Sequence, residues 1–484
     1  MRIATNVSAI VSNNALQKSQ DRLTKSIARL SSGYKINSSS DDAAGYAISE
    51  KMRLQLRGLN QADNNAADGV SVLHTAEGAM EEIQSMLARM KELSVQAANG
   101  TNSVDERSAI QSEIDSLNSE IDRISSNTEF NSQTLISGNL SRRVYSNYEG
   151  VNQIEVSDNF VAGNYGITIT QDARQAIVVG NGAVTMSDTA TVTKEQAGTI
   201  SMNGYGIEIS EGDTLAGIMG KLVDGADKIG GRVFAITAGA TNDTKVNGTD
   251  YAGYEPQTSY AGNNIVFMTK ESGSSKTMNI TCSNAELANM LGIATAATNS
   301  GMYAEGSDVQ AEFTLDNDGK RVGFADSAVI STSGTRVTVK DVNNRTFVTD
   351  VPSNVAGTQV FDTAKADDKS TATSTQTAKV TQEVTDVGTM SVHVGANENQ
   401  VILIDIPAVT SYTLGTENLN VMTSVTASEA IDTIDTAVAY ANRVRSQMGA
   451  YENRFEHTTN NLGTASENLT SAISTMTDTD MAEE

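Results

Sequence analysis

Tryptophan is absent from the 484 residues, cysteine occurs once, proline three times, and aromatic residues make up 5%. A lone Cys282 excludes an intrachain disulfide, so stability has to come from packing or assembly. Few aromatics leave few large anchors for a ligand pocket, which weighs against an enzyme. No apolar run approaches the ~18 residues of a membrane span. Thr5, Asn6, Ser8 and Ser12 interrupt the opening stretch, so it lacks the apolar core of a secretory signal. Export would therefore need another route. Basic charge is scarce, with 34 Lys and Arg against 59 Asp and Glu for a net charge of −25, so no nucleic acid is expected as a partner.

Catalytic spacings are missing too. His74, His393 and His457 lie far apart, and His74 with Glu77 on one helical turn falls short of a zinc site. There is no Walker glycine loop and no GxSxG elbow. No catalytic residue, metal or cofactor is expected.

What is present is a chain whose ends and middle differ. Residues 1–140 and 425–480 contain no proline and follow a helical period, whereas the middle is rich in Gly, Thr and Val with turn signals. In the late stretch Ile434, Ala441, Met448, Phe455, Leu462, Leu469 and Met476 fall seven apart. A second seam reads Ile431, Val438 and Ile473, with Arg445, Glu452, Thr459 and Ser466 as polar members. Such heptads indicate a coiled-coil helix, and about 50 residues make a rod of roughly 75 Å. A rod of that length needs partner helices. Asp41 and Asp42 cap a first candidate, striped by Met52, Leu56, Leu59, Ala66, Val70, Leu73, Met80, Leu87 and Met90 and broken at 98–100. A second carries Ile110, Ile114, Leu117, Ile121 and Ile124. From periodicity alone, a spectrin-like or chemoreceptor-like coiled coil is an equal reading.

Residues 1–33 form a separate amphipathic stretch. Its stripe is Ile3, Val7, Ile10, Leu16, Leu23, Ile27 and Leu30, and residues 1–40 hold six basic side chains against Asp21 alone. A membrane-surface helix, a presequence and a partner-binding helix all fit that pattern. An isolated helix of this length is marginal in water, so it is expected to order only on packing. In the middle, 204–209 and 232–237 read as strands around a helix at 214–226. Ser283 and Glu286 form a capping-box pattern, 361–388 resembles a flexible linker or a strand-poor surface region, and 390–395 with 401–406 suggests a hairpin.

The stretch Arg29-Leu-Ser-Ser-Gly-Tyr-Lys-Ile-Asn-Ser-Ser-Ser-Asp-Asp-Ala-Ala-Gly-Tyr-Ala-Ile resembles the N-terminal signature of the bacterial flagellins. Leu87-Ala-Arg-Met-Lys-Glu-Leu-Ser-Val-Gln-Ala-Ala-Asn-Gly, Phe130-Asn, Val394-Gly-Ala-Asn-Glu-Asn-Gln and Ser446-Gln-Met-Gly-Ala-Tyr-Glu-Asn-Arg-Phe-Glu-His are similar to further segments of that family. The resemblance covers about 140 residues at the start and about 95 at the end. It implies an α+β multidomain chain, in which both ends form a long antiparallel helical coiled-coil bundle with β-rich variable domains inserted between them. The expected divisions are an assembly helix at 1–40, bundle parts at 41–140 and 386–476, a surface region at 141–385 with a flagellin-insert-like module at 200–240, and an assembly segment from 477.

The resemblance further implies a secreted, extracellular filament subunit that partners other flagellin subunits through the 1–30 stripe, with no membrane contact. It implies passage through the flagellar export apparatus with its chaperone. It also implies recognition by Toll-like receptor 5 at Arg89, Leu93 and Glu113, with Met90, Lys91 and Gln96 nearby, although a solvated bundle face, or a core position for Leu93, reads equally well. Flagellins usually continue beyond a motif like Asp480-Met-Ala-Glu-Glu, so a truncated C-terminus, poor assembly and a weakened chaperone site are expected. The hook–filament junction protein is the alternative family reading.

Overall fold

The computed structural model describes residues 7–157, 160–180, 182–237, 260–293, 302–316, 318–342, 345–353, 355–356, 377–385 and 387–482. Among these are seven helices: α1 Val7–Ser32, α2 Ala43–Ala98, α3 Val104–Asn127, α4 Leu215–Lys228, α5 Ala285–Met290, α6 Ser411–Leu414 and α7 Ser424–Thr477. The chain divides into two compact units. One comprises Met1–His74, Met390–Ile404 and Gln447–Glu484; the other comprises Thr75–Thr389 and Asp405–Ser446.

Local chemistry sets where the early helices begin. Asp42 Oδ1 accepts hydrogen bonds from the backbone N–H groups of Ala44 and Gly45, each at 3.0 Å, which satisfies free donors at the start of α2. Asp41 instead closes the preceding loop by accepting from Asn37 N at 3.3 Å and Ser38 N at 3.1 Å. The Ser38 hydroxyl, donating to that carboxylate, holds Asp41 below the usual carboxylate range. Ser103 and Glu106 form a reciprocal capping box that restarts the chain as α3.

The buried face of α7 follows alternating steps of three and four: Ala427, Ala430, Ile434, Ala437, Ala441, Val444, Met448, Tyr451 and Phe455. The first expected seam is therefore buried through Leu462. The second sits one residue earlier than expected over its first half, on Ala430, Ala437, Val444 and Tyr451, with Ile431 and Val438 only half-buried, whereas Ile473 is buried as expected. Small alanines carry a weak hydropathy signal, yet they are buried members of this seam. In the first unit Gly69 of α2 lies beneath the Phe455 ring, where an added Cβ would meet ring carbons at 2.9 and 3.0 Å. Hairpin strands Met390–His393 and Val401–Ile404 pair antiparallel, as expected. The hairpin lies along α2: Asn65 Nδ2 donates to His393 O at 3.0 Å, and a Cβ at Gly58 would come within 3.0 Å of Ala396.

In the second unit Met80, Ile83, Leu87, Met90 and Leu93 of α2, with Ile114 and Ile121 of α3, have 2% or less of their surface exposed. A fully buried side chain of this size contributes about 1.5–3 kcal/mol. The segment around α6 is fastened to α3 by polar contacts. Asp122 accepts from Ser411 N at 2.8 Å and Ser411 Oγ at 2.7 Å, Asn118 Nδ2 donates to Thr416 O at 2.7 Å, and Gln111 bonds both Leu419 O and Val421 N at 2.8 Å.

The same unit holds the β-rich middle. One four-stranded sheet runs in the order Gln310–Phe313, Gly163–Gln171, Ala378–Val384, Val144–Ser146, and a second runs Val329–Ser333, Arg336–Lys340, Thr346–Asp350, Asn152–Val156. Between them Phe160, Tyr165, Phe324 and Phe347 cluster with ring centroids 5.1–6.3 Å apart, so four of the scarce aromatics build one core. Further along the chain, strands around α4 and α5 enclose another core that includes Ile200, Leu215, Ile218, Leu222, Phe267 and Leu287. The helix expected at 214–226 is α4, capped by Thr214, and its flanking strands are Tyr205–Ile209 and Gly231–Thr237.

Two local expectations fail. Asn284, not Ser283, caps α5, because the Ser283 hydroxyl is occupied accepting Thr199 N at 2.8 Å. The expected linker at 361–388 contains the strand Ala378–Val384, paired with Gly163–Gln171 on one side and Val144–Ser146 on the other. Its Thr-rich composition suits a strand as well as a linker. Residues 361–376 lie outside the described residues.

Two glycines of α2 test this packing in opposite directions. A Cβ at Gly78 meets nothing within 4 Å, so Gly78→Ala should stabilise the helix by up to about 1 kcal/mol through propensity alone. Gly69→Ala should instead cost about 1–3 kcal/mol by overpacking against Phe455. Thermal melts followed by helical circular dichroism check both, and equal melting temperatures for the two variants would contradict the seam described.

Candidate functional site

Two surfaces stand out, and each is set by the helix that presents it. α1 is 26 residues long and has no buried residue. At about 100° per residue Leu16, Leu23, Ile27 and Leu30 share one open face, with Leu23 60% and Ile27 59% exposed, whereas Val7 and Ile10, exposed too, fall on other sides of the helix and do not continue the expected stripe. Ile3 lies outside the described residues. Four exposed apolar residues aligned over about four turns suit a partner surface. Lys18, Arg22, Lys25 and Arg29 share the helix with Asp21 as its one acid, so a complementary partner would be apolar and acid-rimmed.

The base of α1 is fixed. Gly33, at φ +75°, donates its N–H to Arg29 O at 2.7 Å, which ends the helix in a left-handed cap. Lys35 N then donates to Thr477 O at 2.6 Å and Thr479 N to Gly33 O at 3.0 Å, with Tyr34 and Asp478 forming an antiparallel bridge. The chain leaving α1 and the chain leaving α7 are thus hydrogen-bonded to each other.

The second surface lies on α2 and α3. Arg89 Nε and Nη2 both reach Glu113 Oε1, at 3.0 and 2.8 Å, and Nη1 reaches Glu92 Oε2 at 3.3 Å. These acceptors, Glu113 foremost, raise the Arg89 pKa above its ordinary value. Lys91 pairs with Asp435 of α7, and Gln96 is exposed near the end of α2. Met90 and Leu93 are placed differently from the exposed patch expected of them: they are 0% and 2% exposed, packed in the bundle core. The core position left open for Leu93 is the one it occupies, because residues 83, 87, 90 and 93 follow the inward face of α2. The Arg89–Glu92 pair was readable as an i,i+3 spacing. Asp435 was not, since it stands 344 residues from Lys91.

Neither surface brings together a nucleophile and a base. In the groove between α2 and α7 lined by Leu59, Asp63, Leu462, Ser466 and Glu467, about 530 Å³ in volume, the Ser466 hydroxyl donates to Asn60 Oδ1 at 3.1 Å and not to either carboxylate. His74 Nε2 stands 3.5 Å from Glu452 Oε1 with both side chains more than a third exposed, while Glu77 accepts from Arg445 at 3.3 Å. Among the described residues no helix is long and apolar enough to cross a membrane.

Comparison with known proteins agrees with this arrangement of helical ends. Residues 3–141 match the bacterial flagellin N-terminal helical region, and residues 431–484 match the bacterial flagellin C-terminal helical region. A flagellin of Clostridium tyrobutyricum is 30% identical over 98% of this chain and 92% of its own length. A flagellin of Salmonella rubislaw is 31% identical over 100% of this chain and 92% of its own. Flagellin B of Vibrio anguillarum is 48% identical over 145 residues, 30% of this chain and 39% of its own. The expected C-terminal truncation finds no support, because the family's C-terminal helical region is matched here; the expectation of poor assembly loses its basis with it. With both helical regions matched and full-length relatives at this identity, the chain belongs to the bacterial flagellin family.

Proposed function

We propose that this chain is a structural subunit of an extracellular flagellar filament that self-assembles through its helical ends. The protein is structural and not an enzyme. The observation that carries the assembly reading is α1, a helix with no buried residue and an open apolar face formed by Leu16, Leu23, Ile27 and Leu30. A subunit that offers this face to a non-equivalent surface on the next copy makes a head-to-tail contact, and such contacts generate open helical filaments unless they close into a ring. Residues 1–40 and 477 onward are the assembly segments in this reading, 41–140 with 386–476 the bundle, and 141–385 the outward-facing region with its module at 200–240. Other flagellin subunits are the principal partners. The flagellar export apparatus and its chaperone are the transport partners, consistent with the interrupted N-terminal stretch.

Recognition by Toll-like receptor 5 is a second role of the same subunit. Arg89, Lys91, Gln96 and Glu113 supply its exposed polar part, while Met90 and Leu93 support the helix from beneath. An Arg with two carboxylate partners is held in a fixed orientation, which lowers the ordering cost of binding.

Leu23→Asp should abolish filament formation in electron micrographs while leaving the helical spectrum and thermal melt of the monomer unchanged, since Leu23 is exposed on α1. Filaments in ordinary yield from that variant would remove α1 as the assembly surface. Arg89→Ala should weaken signalling in receptor-expressing cells by roughly 10-fold or more, the scale of a central Arg at an interface. An unchanged dose–response with the variant correctly folded would remove the receptor reading.

A further inference from the structure

The chain contains four Asn-Gly steps, at 99, 181, 203 and 247. Asn181 and Asn247 lie outside the described residues. The other two share the same neighbour and differ completely in surroundings, which separates what the dipeptide does from what the fold does to it.

Asn203 and Gly204 form the two-residue turn joining strands Gly198–Met202 and Tyr205–Ile209, at φ +48° and +86°. The Asn203 side chain is held at both ends. Nδ2 donates to Thr277 O at 2.8 Å and Oδ1 accepts from Asn279 N at 2.7 Å, while its own N–H donates to Asn279 O at 2.8 Å. The amide carbon is thereby fixed against the neighbouring strand, away from the Gly204 nitrogen.

Asn99 follows the last residue of α2 and is exposed, as is Gly100. Its side chain has one contact, a long one in which Oδ1 accepts from Thr101 N at 3.3 Å, and among the described residues Nδ2 has no acceptor. Its carbonyl, by contrast, is gripped. Arg107 donates to Asn99 O at 3.0 Å and to Ala97 O at 2.9 Å, and Asn102 N donates to Asn99 O at 3.3 Å. The backbone end of the residue is positioned while its amide is left free to turn. Gly100 lies outside the left-handed region, and nothing stands within 4 Å of where a Cβ would be.

We propose that Asn99 is a site of spontaneous deamidation. The Gly100 backbone nitrogen, after losing its proton to solvent base, attacks the Asn99 side-chain amide carbon. The carbon–nitrogen bond of that amide breaks, and the nitrogen leaves as ammonia with a proton from solvent. Water then opens the resulting five-membered imide at either carbonyl, giving aspartate or isoaspartate with no change of oxidation state. Glycine permits the attack because no side chain crowds its nitrogen. Each product alters the turn. A new carboxylate sits at the negative end of the α2 dipole, where anions are unfavourable. In isoaspartate the chain runs through the former side-chain carbon, one atom longer, and the carbonyl that Arg107 holds becomes a pendant carboxylate, so the α2–α3 turn must shift next to Gln96.

The test ages the intact protein at mildly alkaline pH and follows isoaspartate and deamidation by mass spectrometry of the tryptic peptides 92–107 and 195–221. Modification at Asn99 should be at least ~10-fold faster than at Asn203, because the latter must first break two anchored hydrogen bonds by local opening. In urea the two rates should converge. Gly100→Ala places its methyl in open space, so the fold stays intact and the Asn99 rate falls by roughly 10-fold or more, as expected when the attacking nitrogen is crowded by a Cβ. Equal rates at Asn99 and Asn203 in the folded protein, or an unchanged rate in Gly100→Ala, would overturn the proposal.

Discussion

The interaction on which the other features depend is the seam between α2 and α7, formed by two segments from opposite ends of the chain. Each helix is more than fifty residues long, and each carries one narrow apolar face that cannot fold over onto itself. Burying those faces against each other turns two marginal helices into a scaffold. Small residues share the seam with large ones: Ala430, Ala437 and Ala441 of α7 are buried on it, and Gly69 gives Phe455 its place. α3 and the hairpin at 390–404 pack along these helices.

The β-rich middle joins this scaffold through a small set of directed contacts. Arg443 of α7 pairs with Glu155 through two hydrogen bonds, at 3.0 and 2.6 Å. Arg336 donates to the Tyr412 and Thr413 carbonyls, and the Tyr412 hydroxyl donates to Asp350 at 2.6 Å. Burial and that carboxylate push Tyr412 up to about 12. Tyr440, buried on α7, donates to Ala408 O at 2.8 Å, and burial drives its pKa far upward. Contacts of this kind fix orientation more than they add stability, since a directional bond to a charged group has few acceptable geometries. The middle keeps its own aromatic and aliphatic cores, so its sequence answers mainly to itself.

The helical part was legible because long heptads are redundant: one misplaced residue leaves the pattern intact. Even so, the second seam was read one position late, because Ile431 and Val438 outweigh Ala430 and Ala437 on any hydropathy scale although the alanines face inward. The middle was legible only where strong local signals existed, such as Thr214 ahead of α4 or the apolar run 401–406. The strand Ala378–Val384 was hidden because its pairing partners lie more than 200 residues earlier, and Thr, Ala and Val suit linker and strand alike. The exposed patch was read half correctly. Arg89 and Glu113 advertise charge, but whether Leu93 points in or out depends on the phase of α2 against partners the local sequence does not reveal.

The antiparallel seam also orders events in time. Its two halves are separated by the whole of the inserted middle, so the apolar face of α2 exists in the growing chain long before α7 does. Closing a loop of this length costs little more than closing a shorter one, roughly 0.6 kcal/mol per doubling, yet contacts so distant in sequence form late and slowly. The β-rich cores lie wholly between the two halves and can close before α7 is available, although one of them itself joins strands more than 200 residues apart. The subunit is therefore built with a delay in its scaffold, and any factor that withholds α7 from α2 holds the bundle open.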